Sequence, residues 1–528
     1  MTDSQTSDVG RSGVGRSGVV RSSALVAAGT ALSRLSGFGR LAAIAYAFGF
    51  TRLSDTYLLA NTTPNIVYEL LLGGVLSATL VPTFVEQRER NDEDATSAII
   101  STAIVALVAI TIVGMLVAPL IMYLYTLNAP GSAAAVRAER EVATGLLLFF
   151  MPQMFFYGLT TIGTALLNAH RRFSAPAITP VLNNVMVIAM LITVAQLSDE
   201  SLTLSRVHKE PLLAAIIGLG TTAGVAAMTL ALWPSVRRAG IKLRFNFDWR
   251  HPAVRQVSRQ SGWTLGYVIS NQVALAIVML LAFGDEARLS AYNAAFVFFQ
   301  LPHGLIAVSL MTTLVPELSS AAAQENWVTF RERFSNGIRL MALAILPAAT
   351  GYLVLARPIV SSLLERGALS GASAQLTAEA LGGFAVGLFG FSVYLYTLRG
   401  FYALRDTRTP FFLNLGENAL NIVFALILTP WLGVRGLALA YAFAYTIAAV
   451  AALVVLHRRV GGLWQAQLVN SIGRITLSCA VMAAVVVIVA NQLGSNSGSG
   501  AILRTAIGVT AGAITYLAAL VPLKELRR

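Results

Sequence analysis

The sequence has little charge and almost no cysteine. Lys, Arg, Asp and Glu make up only 12% of its 528 residues, about half the share found in soluble domains. This low share excludes a soluble globular protein. The single cysteine, Cys479, excludes a disulfide framework, a cysteine-ligated zinc site and an iron–sulfur cluster. The five histidines lack the spacing of metal ligands, so no metal site is expected.

Long hydrophobic runs dominate the sequence instead. Hydrophobic residues make up 56% of the chain, and runs of the roughly 20 residues needed to cross a bilayer recur along its length. A β-barrel would show alternating segments of about ten residues, and these runs do not alternate. We therefore predict an all-α polytopic membrane protein with fourteen spans, at residues 23–50, 55–86, 96–127, 140–168, 175–197, 211–234, 257–283, 288–321, 334–357, 378–404, 410–431, 435–457, 470–493 and 501–523.

The distribution of Lys and Arg predicts the orientation of the spans. The N-terminal segment and every second connection hold 24 of these residues, and the opposite side holds 8. Because cytoplasmic loops carry the excess, both termini are expected in the cytoplasm. Basic loops facing the anionic leaflet then explain the net charge of +13 without nucleic acid as a partner. Residues 1–22, which carry a GRSGV repeat, are predicted to be a disordered basic tail.

Two segments recur in the second half of the chain. GVLSATLVPTFVE resembles AVSLMTTLVPELS, and AHRRFSAPAITPVLNN resembles ALRDTRTPFFLNLGEN; Pro316 and Asn418 each follow their counterparts, Pro82 and Asn184, by 234 residues. Parallel six-span repeats are typical of transporters whose substrate path lies between the halves. We predict an N-lobe at 23–234, a basic cytoplasmic linker at 235–260, a C-lobe at 261–457 and two extra spans at 458–528.

Span 1 contains two charges that a bilayer helix does not favour. Arg34 and Arg40 are separated by a rise of about 9 Å, and each costs at least roughly 2.5–3.5 kcal/mol at the middle of such a helix. We predict that they face a hydrated cavity and bind an anion, because guanidinium groups match phosphate oxygens. Counting residues from the turn after span 1 places Glu69 between their depths. The alternative is a structural ion pair, with Arg40 as the partner of Glu69.

Other polar residues within the spans are further candidates. Asp55, at the outer end of span 2, is predicted either to contact the substrate or to begin a helix. Ser33, Asn65 and Asn184 are also candidates for contact with the substrate, and helix–helix hydrogen bonding is the alternative for the asparagines. Three residues of span 11 are candidates for binding a coupling cation or proton: Asn414, Glu417 and Asn418.

The sequence carries no enzyme motif. G-x-S-x-G, the P-loop and H-E-x-x-H are all missing from it. We therefore expect a transporter and no cofactor. Without a nucleotide-binding motif, transport would use a Na⁺ or H⁺ gradient, the membrane potential or the gradient of the substrate itself.

Several motifs resemble one family of membrane transporters. The segment 23–65 contains S-R-x-x-G-F-x-R (33–40), A-F-G (47–49), Asp55 and P-N (64–65); LPHG (301–304), LERGA (364–368) and FYALRDTRTP (401–410) follow. These motifs are similar to those of the MurJ/MviN lipid II flippases, in the multidrug/oligosaccharidyl-lipid/polysaccharide exporter superfamily. They are distributed over nearly all of the fourteen spans.

This resemblance implies a function. Members of the family flip the lipid-linked peptidoglycan precursor, lipid II, from the inner to the outer leaflet of the bacterial cytoplasmic membrane. They do so by alternating access of two lobes around a cationic cavity. The cavity takes the diphosphate-sugar head, and spans 13 and 14 would form a groove for the undecaprenyl tail. Arg34, Arg40 and Asp55 occupy positions important in the family. The expected partners are lipid II, membrane lipids and cell-wall synthesis or division proteins.

Some positions depart from the family pattern. Many members carry Asp at Leu41, a basic pair at Tyr68 and Glu69, A-E-G at 72–74 and an arginine near Val297. Actinobacterial-type members of the family share this variation. We therefore expect this chain to be a divergent member of the family, with two arginines in the cavity in place of four. Two alternatives stay open: export of another polyprenyl-diphosphate glycan or a drug, and a non-transporting scaffold that recruits cell-wall synthases.

Overall fold

The computed structural model describes residues 12–69, 74–127, 129–198, 200–240, 244–252, 254, 262–463 and 466–521. Within these ranges the ordered elements are helices and no strand is formed. The helices are α1 (Ser12–Phe48), α2 (Arg52–Tyr68), α3 (Gly74–Glu89), α4 (Glu93–Tyr125), α5 (Ala133–Phe150), α6 (Gln153–Ala169), α7 (Ser174–Leu197), α8 (Leu204–Lys209), α9 (Pro211–Arg238), α10 (Gly262–Ala282), α11 (Arg288–Pro302), α12 (Val308–Ala323), α13 (Trp327–Leu364), α14 (Gly371–Ala403), α15 (Arg408–Val460), α16 (Ala466–Asn491) and α17 (Gly498–Leu520).

The predicted all-α membrane fold is confirmed. Ten helices in the described part of the chain are long and apolar enough to cross a bilayer. The predicted spans correspond to the helices in order. Spans 4 and 8 each contain two consecutive helices, α5 with α6 and α11 with α12, and span 2 contains α2 and α3 on either side of residues outside the described ranges. The short helix α8 lies in the connection between spans 5 and 6. Spans 11 and 12 are the two halves of α15.

Helix α15 is a hairpin and not one long rod. Its 53 residues would extend about 80 Å if straight, far more than a bilayer requires. Gly433 interrupts it with a φ of 55° and a ψ of −133°. The rings of Phe424 and Phe443 lie 6.2 Å apart, whereas a straight helix would separate these residues by about 28 Å. Each half therefore forms one span, as predicted.

The start of α1 corrects one prediction. The helix begins at Ser12, so the predicted disorder of the tail is wrong for residues 12–22; residues 1–11 lie outside the described ranges. Extending an existing helix requires no new nucleation. A segment of small and basic residues can therefore continue the helix of the apolar span that follows it.

The buried hydrophobic residues form two large clusters, and span 1 contributes to both. Phe48 and Tyr57 lie in the first cluster, which joins α4, α5 and α6 of the N-lobe to α10 and α15 of the C-lobe. Leu41 and Ala45 lie in the second cluster, whose other members are mostly C-lobe residues and which we call the C-lobe core. Span 1 therefore lies between the lobes and carries its arginines there. Spans 13 and 14 pack against α13, where the Tyr516 hydroxyl donates to a backbone carbonyl of α13 at 2.6 Å.

Candidate functional site

Arg34 reaches from span 1 to the middle of span 8. A Cβ atom built on Gly304 would overlap the Arg34 guanidinium, so the glycine of the LPHG motif is needed for this close approach. Gly304 lies in a π-helical segment, His303–Ala307, that joins α11 to α12; such segments are frequent at functional sites. Arg34 is half-buried, and it forms no ion pair or hydrogen bond with a described residue.

His303 positions the other side of this contact. It is buried, and its Nδ1 lies 3.0 Å from the Ser392 hydroxyl of α14. Its ring meets the Phe391 ring edge-on, with 4.6 Å between the centres. The imidazole is therefore held in one orientation beside the Arg34 guanidinium, and the two groups connect the N-lobe to the C-lobe near the middle of the membrane.

Arg40 lies near Asn65 and Tyr157 and not beside Glu69. The Tyr157 side chain of α6 hydrogen-bonds Asn65 and lies within electrostatic range of Arg40. The predicted ion pair between Arg40 and Glu69 is wrong: none joins these two described residues. The physical reason is depth. Arg40 lies about 12 Å and Arg34 about 21 Å below the end of α1, whereas Glu69 lies about 25 Å below the start of α2, so Glu69 is deeper than both arginines and not between them. Glu69 is half-buried at the end of α2.

Ser33 and Asn184 contact each other across spans 1 and 5. The Asn184 side-chain amide donates to the Ser36 hydroxyl at 2.9 Å and to the Ser33 carbonyl at 3.4 Å. The Ser36 hydroxyl also donates to the Ser33 carbonyl. These contacts favour the helix–helix interpretation for Asn184, because its donors already hold α7 against α1.

Asp55 joins the two lobes at the predicted outer face. The carboxylate is fully buried, and its Oδ1 accepts from the Ser290 backbone N–H at 2.8 Å and from the Ser290 hydroxyl at 2.5 Å. The Ser54 and Ser290 hydroxyls lie 2.8 Å apart. The starts of spans 2 and 8 are thus bonded directly to each other. We call the contacts between the lobes at this face the outer seal.

Arg52 and Glu286 extend the outer seal. The Arg52 backbone N–H donates to the Glu286 carboxylate at 3.4 Å, across 234 residues of sequence. The Arg52 guanidinium donates to the Phe283 carbonyl at 2.9 Å and pairs with Glu139 of its own lobe at 3.1 Å. The span 7 to span 8 turn is therefore fixed to the start of span 2.

The A-F-G and LERGA motifs meet at the same face. The Ala368 backbone N–H donates to the Tyr46 carbonyl at 3.0 Å, and the Ser373 hydroxyl donates to the Phe50 carbonyl at 3.2 Å. Gly49 and Gly367 have φ angles of 61° and 67°, a conformation that side chains disfavour. A Cβ on either glycine would overlap the opposite segment, so both glycines are required for this part of the outer seal.

The three span 11 candidates gather around Asn271 of span 7. The side-chain amides of Asn414 and Asn418 donate to the Asn271 carbonyl oxygen at 3.1 and 2.9 Å. Asn271, Glu417 and Asn418 border a cavity of about 300 Å³, and Asn414 does not line it. Within the described residues neither Glu417 oxygen has a hydrogen-bond partner, and the Tyr445 hydroxyl faces it from outside hydrogen-bond geometry. A buried, unpaired carboxylate favours binding of a cation or a proton.

A larger cavity lies in the C-lobe toward the predicted cytoplasmic face. Its volume is about 850 Å³, and its walls include His303, Tyr267, Arg399 and Tyr402. Of the described residues that line it, none is acidic. A ligand in this cavity would therefore meet hydroxyl groups and one exposed guanidinium.

Sequence reasoning missed several residues of these sites. Arg399 could have been found as a charge within span 10, and Asn271 as part of the polar triplet at 270–272 of span 7. Ser290 gives no such signal, because a serine near a helix start is ordinary. Val297, the predicted departure in span 8, packs against the C-lobe core; the Tyr68 side chain and residues 72–73 lie outside the described part.

Comparisons with known proteins agree on one family. The family model for lipid II flippase MurJ matches residues 44–524. A probable lipid II flippase MurJ of Rhizobium tropici is 29% identical over 485 residues, which cover 90% of this chain and 88% of its own. The lipid II flippase MurJ of Burkholderia cenocepacia is 27% identical over 421 residues, 78% of each chain.

Solved structures agree on the fold. A lipid II flippase MurJ in an inward closed conformation has a TM-score of 0.77 at 22% identity, and covers 96% of this chain and 100% of its own. An inward-facing MATE family multidrug transporter of the MOP superfamily has a TM-score of 0.66 at 13% identity, over 82% and 99% of the two chains.

Proposed function

The chain belongs to the lipid II flippase MurJ family, and we propose that it moves lipid II from the inner to the outer leaflet of the bacterial cytoplasmic membrane. It is a transporter and not an enzyme. The observation that carries the proposal is Arg34, a guanidinium between the lobes with no ion-pair partner in the described part of the chain. Such a group in the membrane is expensive unless a transported anion uses it.

Arg34 and Arg40 are the proposed ligands of the diphosphate. Guanidinium groups bind phosphate oxygens through paired, charge-assisted hydrogen bonds. Asn65 and Tyr157, which lie near Arg40, add neutral donors for the sugar or the diphosphate. The undecaprenyl tail stays in lipid, and the two C-terminal spans beside α13 are its proposed groove.

Asp55 is proposed to control access to the cavity from the outer face. In the sealed state it is not proposed to bind the substrate. Its carboxylate is fully buried against Ser290, so substrate contact at Asp55 would require the outer seal to open. Alternating access then corresponds to the formation and breaking of the outer seal. The outer seal forms while the cavity is loaded from inside, and its hydrogen bonds break when the lobes separate outside.

Glu417 is the proposed coupling residue. Its carboxylate has no partner among the described residues, and neither have the side-chain oxygens of Asn414 and Asn421 in the same span, which would supply further ligands for Na⁺. Occupation of this site by Na⁺ or H⁺ would change the packing of spans 7, 11 and 12. Without a nucleotide-binding motif in the sequence, this gradient or the membrane potential is the proposed energy source.

Both termini are proposed to lie in the cytoplasm, from the excess of Lys and Arg on that side. The basic connection between the lobes then faces the anionic leaflet. Cell-wall synthesis or division proteins are the proposed protein partners, since they use the flipped lipid II.

Depletion of the protein in its own cells tests the proposal. Lipid II should accumulate on the cytoplasmic side, and a plasmid copy should restore the normal level. An Arg34→Ala copy, expressed at the same level, should fail to restore it. Arg238→Ala, which removes an exposed arginine at the end of α9, is the matched control and should restore it.

The same experiment separates the alternatives. Accumulation of a different polyprenyl-linked glycan would favour an exporter of that glycan. Full complementation by Arg34→Ala would contradict the cavity mechanism and favour a non-transporting scaffold. If depletion leaves the distribution of lipid II unchanged, lipid II flipping is refuted.

A further inference from the structure

Arg399 of span 10 is an unpaired cation inside the C-lobe. Its side chain is exposed and lines the cavity of about 850 Å³. The guanidinium carbon lies 5.9 Å from the centre of the Tyr402 ring. With the described residues it forms no ion pair and no hydrogen bond, so its donors are available to a ligand.

The position of Arg399 relates it to Arg34. His303, beside Arg34, contacts Ser392 of α14 at 3.0 Å. Arg399 follows Ser392 by seven residues, which places it on nearly the same face of α14 and about 10 Å closer to the predicted cytoplasmic face. The cavity therefore connects the level of Arg34 with a second guanidinium nearer the mouth.

The chemistry of the cavity favours an oxyanion. Of its described lining residues none is acidic, and Tyr267 and Tyr402 carry hydroxyl groups. The Thr312 hydroxyl is not a free donor, because it already donates to the Ser309 carbonyl at 2.8 Å. The first amides of α15 are not free donors, because Asp406 already accepts from the N–H groups of Arg408 and Thr409 at 3.0 Å. Recognition would therefore rest on Arg399 and the hydroxyls.

We propose that the C-lobe cavity is a loading subsite, where Arg399 binds an oxyanion of the lipid-linked substrate before that substrate reaches Arg34. This inference rests on the proposed function. Two groups of lipid II have the required chemistry, the diphosphate and the carboxylates of the peptide. Many family members carry an arginine near the position of Val297, and this chain does not. In this chain Arg399 would be the C-lobe cation that contacts the substrate.

Binding to the full-length protein in zwitterionic nanodiscs tests the subsite. We expect Arg399→Gln to weaken lipid II binding about tenfold, as for the loss of one charge-assisted hydrogen bond, and Arg399→Lys to recover part of the loss. The difference from the unsubstituted protein should shrink as salt is raised. Arg408→Gln is the matched control, because Arg408 lies over Phe412 near the same end and does not line the cavity.

Two ligands distinguish the source of the oxyanion. If Arg399→Gln weakens binding of both undecaprenyl diphosphate and lipid II, Arg399 binds the diphosphate. If only lipid II is affected, Arg399 binds a carboxylate of the headgroup. Unchanged binding of both ligands by a folded Arg399→Gln protein overturns the proposal, and then Arg399 serves only to contact the leaflet surface.

Failure of the subsite and failure of the proposed function give different results. If the unsubstituted protein binds lipid II, Arg34→Ala abolishes this binding and Arg399→Gln does not change it, only the subsite is refuted. If the unsubstituted protein does not bind lipid II, the proposed function itself fails. The melting temperature of each variant shows whether it is folded.

Discussion

Replacing Ser290 with alanine should weaken the outer seal and leave each lobe intact. The substitution removes the hydroxyl that donates to Asp55 Oδ1 at 2.5 Å and keeps the backbone bond at 2.8 Å. A hydrogen bond to a buried charged group contributes about 1.5–3 kcal/mol. Because this bond joins the two lobes, its loss should shift the equilibrium between the sealed and open states about 10- to 150-fold.

Distances between spin labels on the two lobes measure this shift. In a Cys479→Ala background, labels at Ala134 and Arg366 report on the predicted outer face, since both positions are exposed and belong to different lobes. Ser290→Ala should increase the population at the longer distance. The matched control is Thr160→Ala, which removes a hydroxyl that lies 2.8 Å from the Thr229 hydroxyl within the N-lobe and should leave the distances unchanged.

Two outcomes would contradict a role of the Ser290 hydroxyl in the outer seal. If Ser290→Ala and Thr160→Ala both give the same distance distribution as the parent protein, the hydroxyl contributes nothing to the outer seal. A shift in both variants would also contradict it, because general loosening of the helices would then explain the change.

Three further predictions use other contacts. Gly304→Ala should displace Arg34, because a Cβ overlaps the guanidinium, and weaken lipid II binding in nanodiscs about tenfold; unchanged binding would exclude Arg34 from the site. Glu417→Gln should abolish the dependence of flipping in liposomes on a Na⁺ or H⁺ gradient; a persisting dependence would contradict coupling there. Gly367→Ala should lower the stability in thermal melts by about 1 kcal/mol or more, because its φ is 67°; an unchanged melting temperature would refute this. Gly382→Ala, whose Cβ meets no atom within 4 Å, is the control for both glycine substitutions.

Most of the fold follows from local sequence patterns. The thickness of the bilayer fixes the length of each crossing, so the apolar runs predict the spans in order. The interruptions within spans are not local in origin. The π-helical segment at His303–Ala307 faces Arg34, almost 270 residues away in sequence, and nothing in span 8 alone predicts that approach. The proline at 152 hints at the break in span 4, but prolines at 119 and 234 lie inside continuous helices.

The residues of the candidate site also differ in whether the local sequence marks them. Arg34, Arg40 and Glu417 are recognisable because a charge in an apolar run is a local anomaly. Among their neighbours, Asn65, Asn414 and Asn418 are also marked, as polar residues within apolar spans, whereas Tyr157 near Arg40 gives no such signal. The predicted pairing of Arg40 with Glu69 fails because counting along two helices gives depth only approximately, and the neighbours in other spans decide which groups meet.

The repeat explains where the lobes touch and why their sites differ. Positions related by the repeat meet only close to the axis that relates the lobes, and Arg52 and Glu286, 234 residues apart, do so at the outer seal. Away from the axis the same offset relates residues of different charge. It pairs Arg34 with Val268, Arg40 with Ala274 and Glu417 with Asn183. The N-lobe therefore keeps cations where the C-lobe is apolar, and the C-lobe keeps a carboxylate where the N-lobe is neutral. The offset also pairs Arg399 with Ala165, so the C-lobe carries a cation of its own besides this carboxylate. The divergence of the halves therefore separates the proposed anion ligands, Arg34 and Arg399, from the proposed coupling residue, Glu417, and this separation lets one scaffold bind groups of opposite charge.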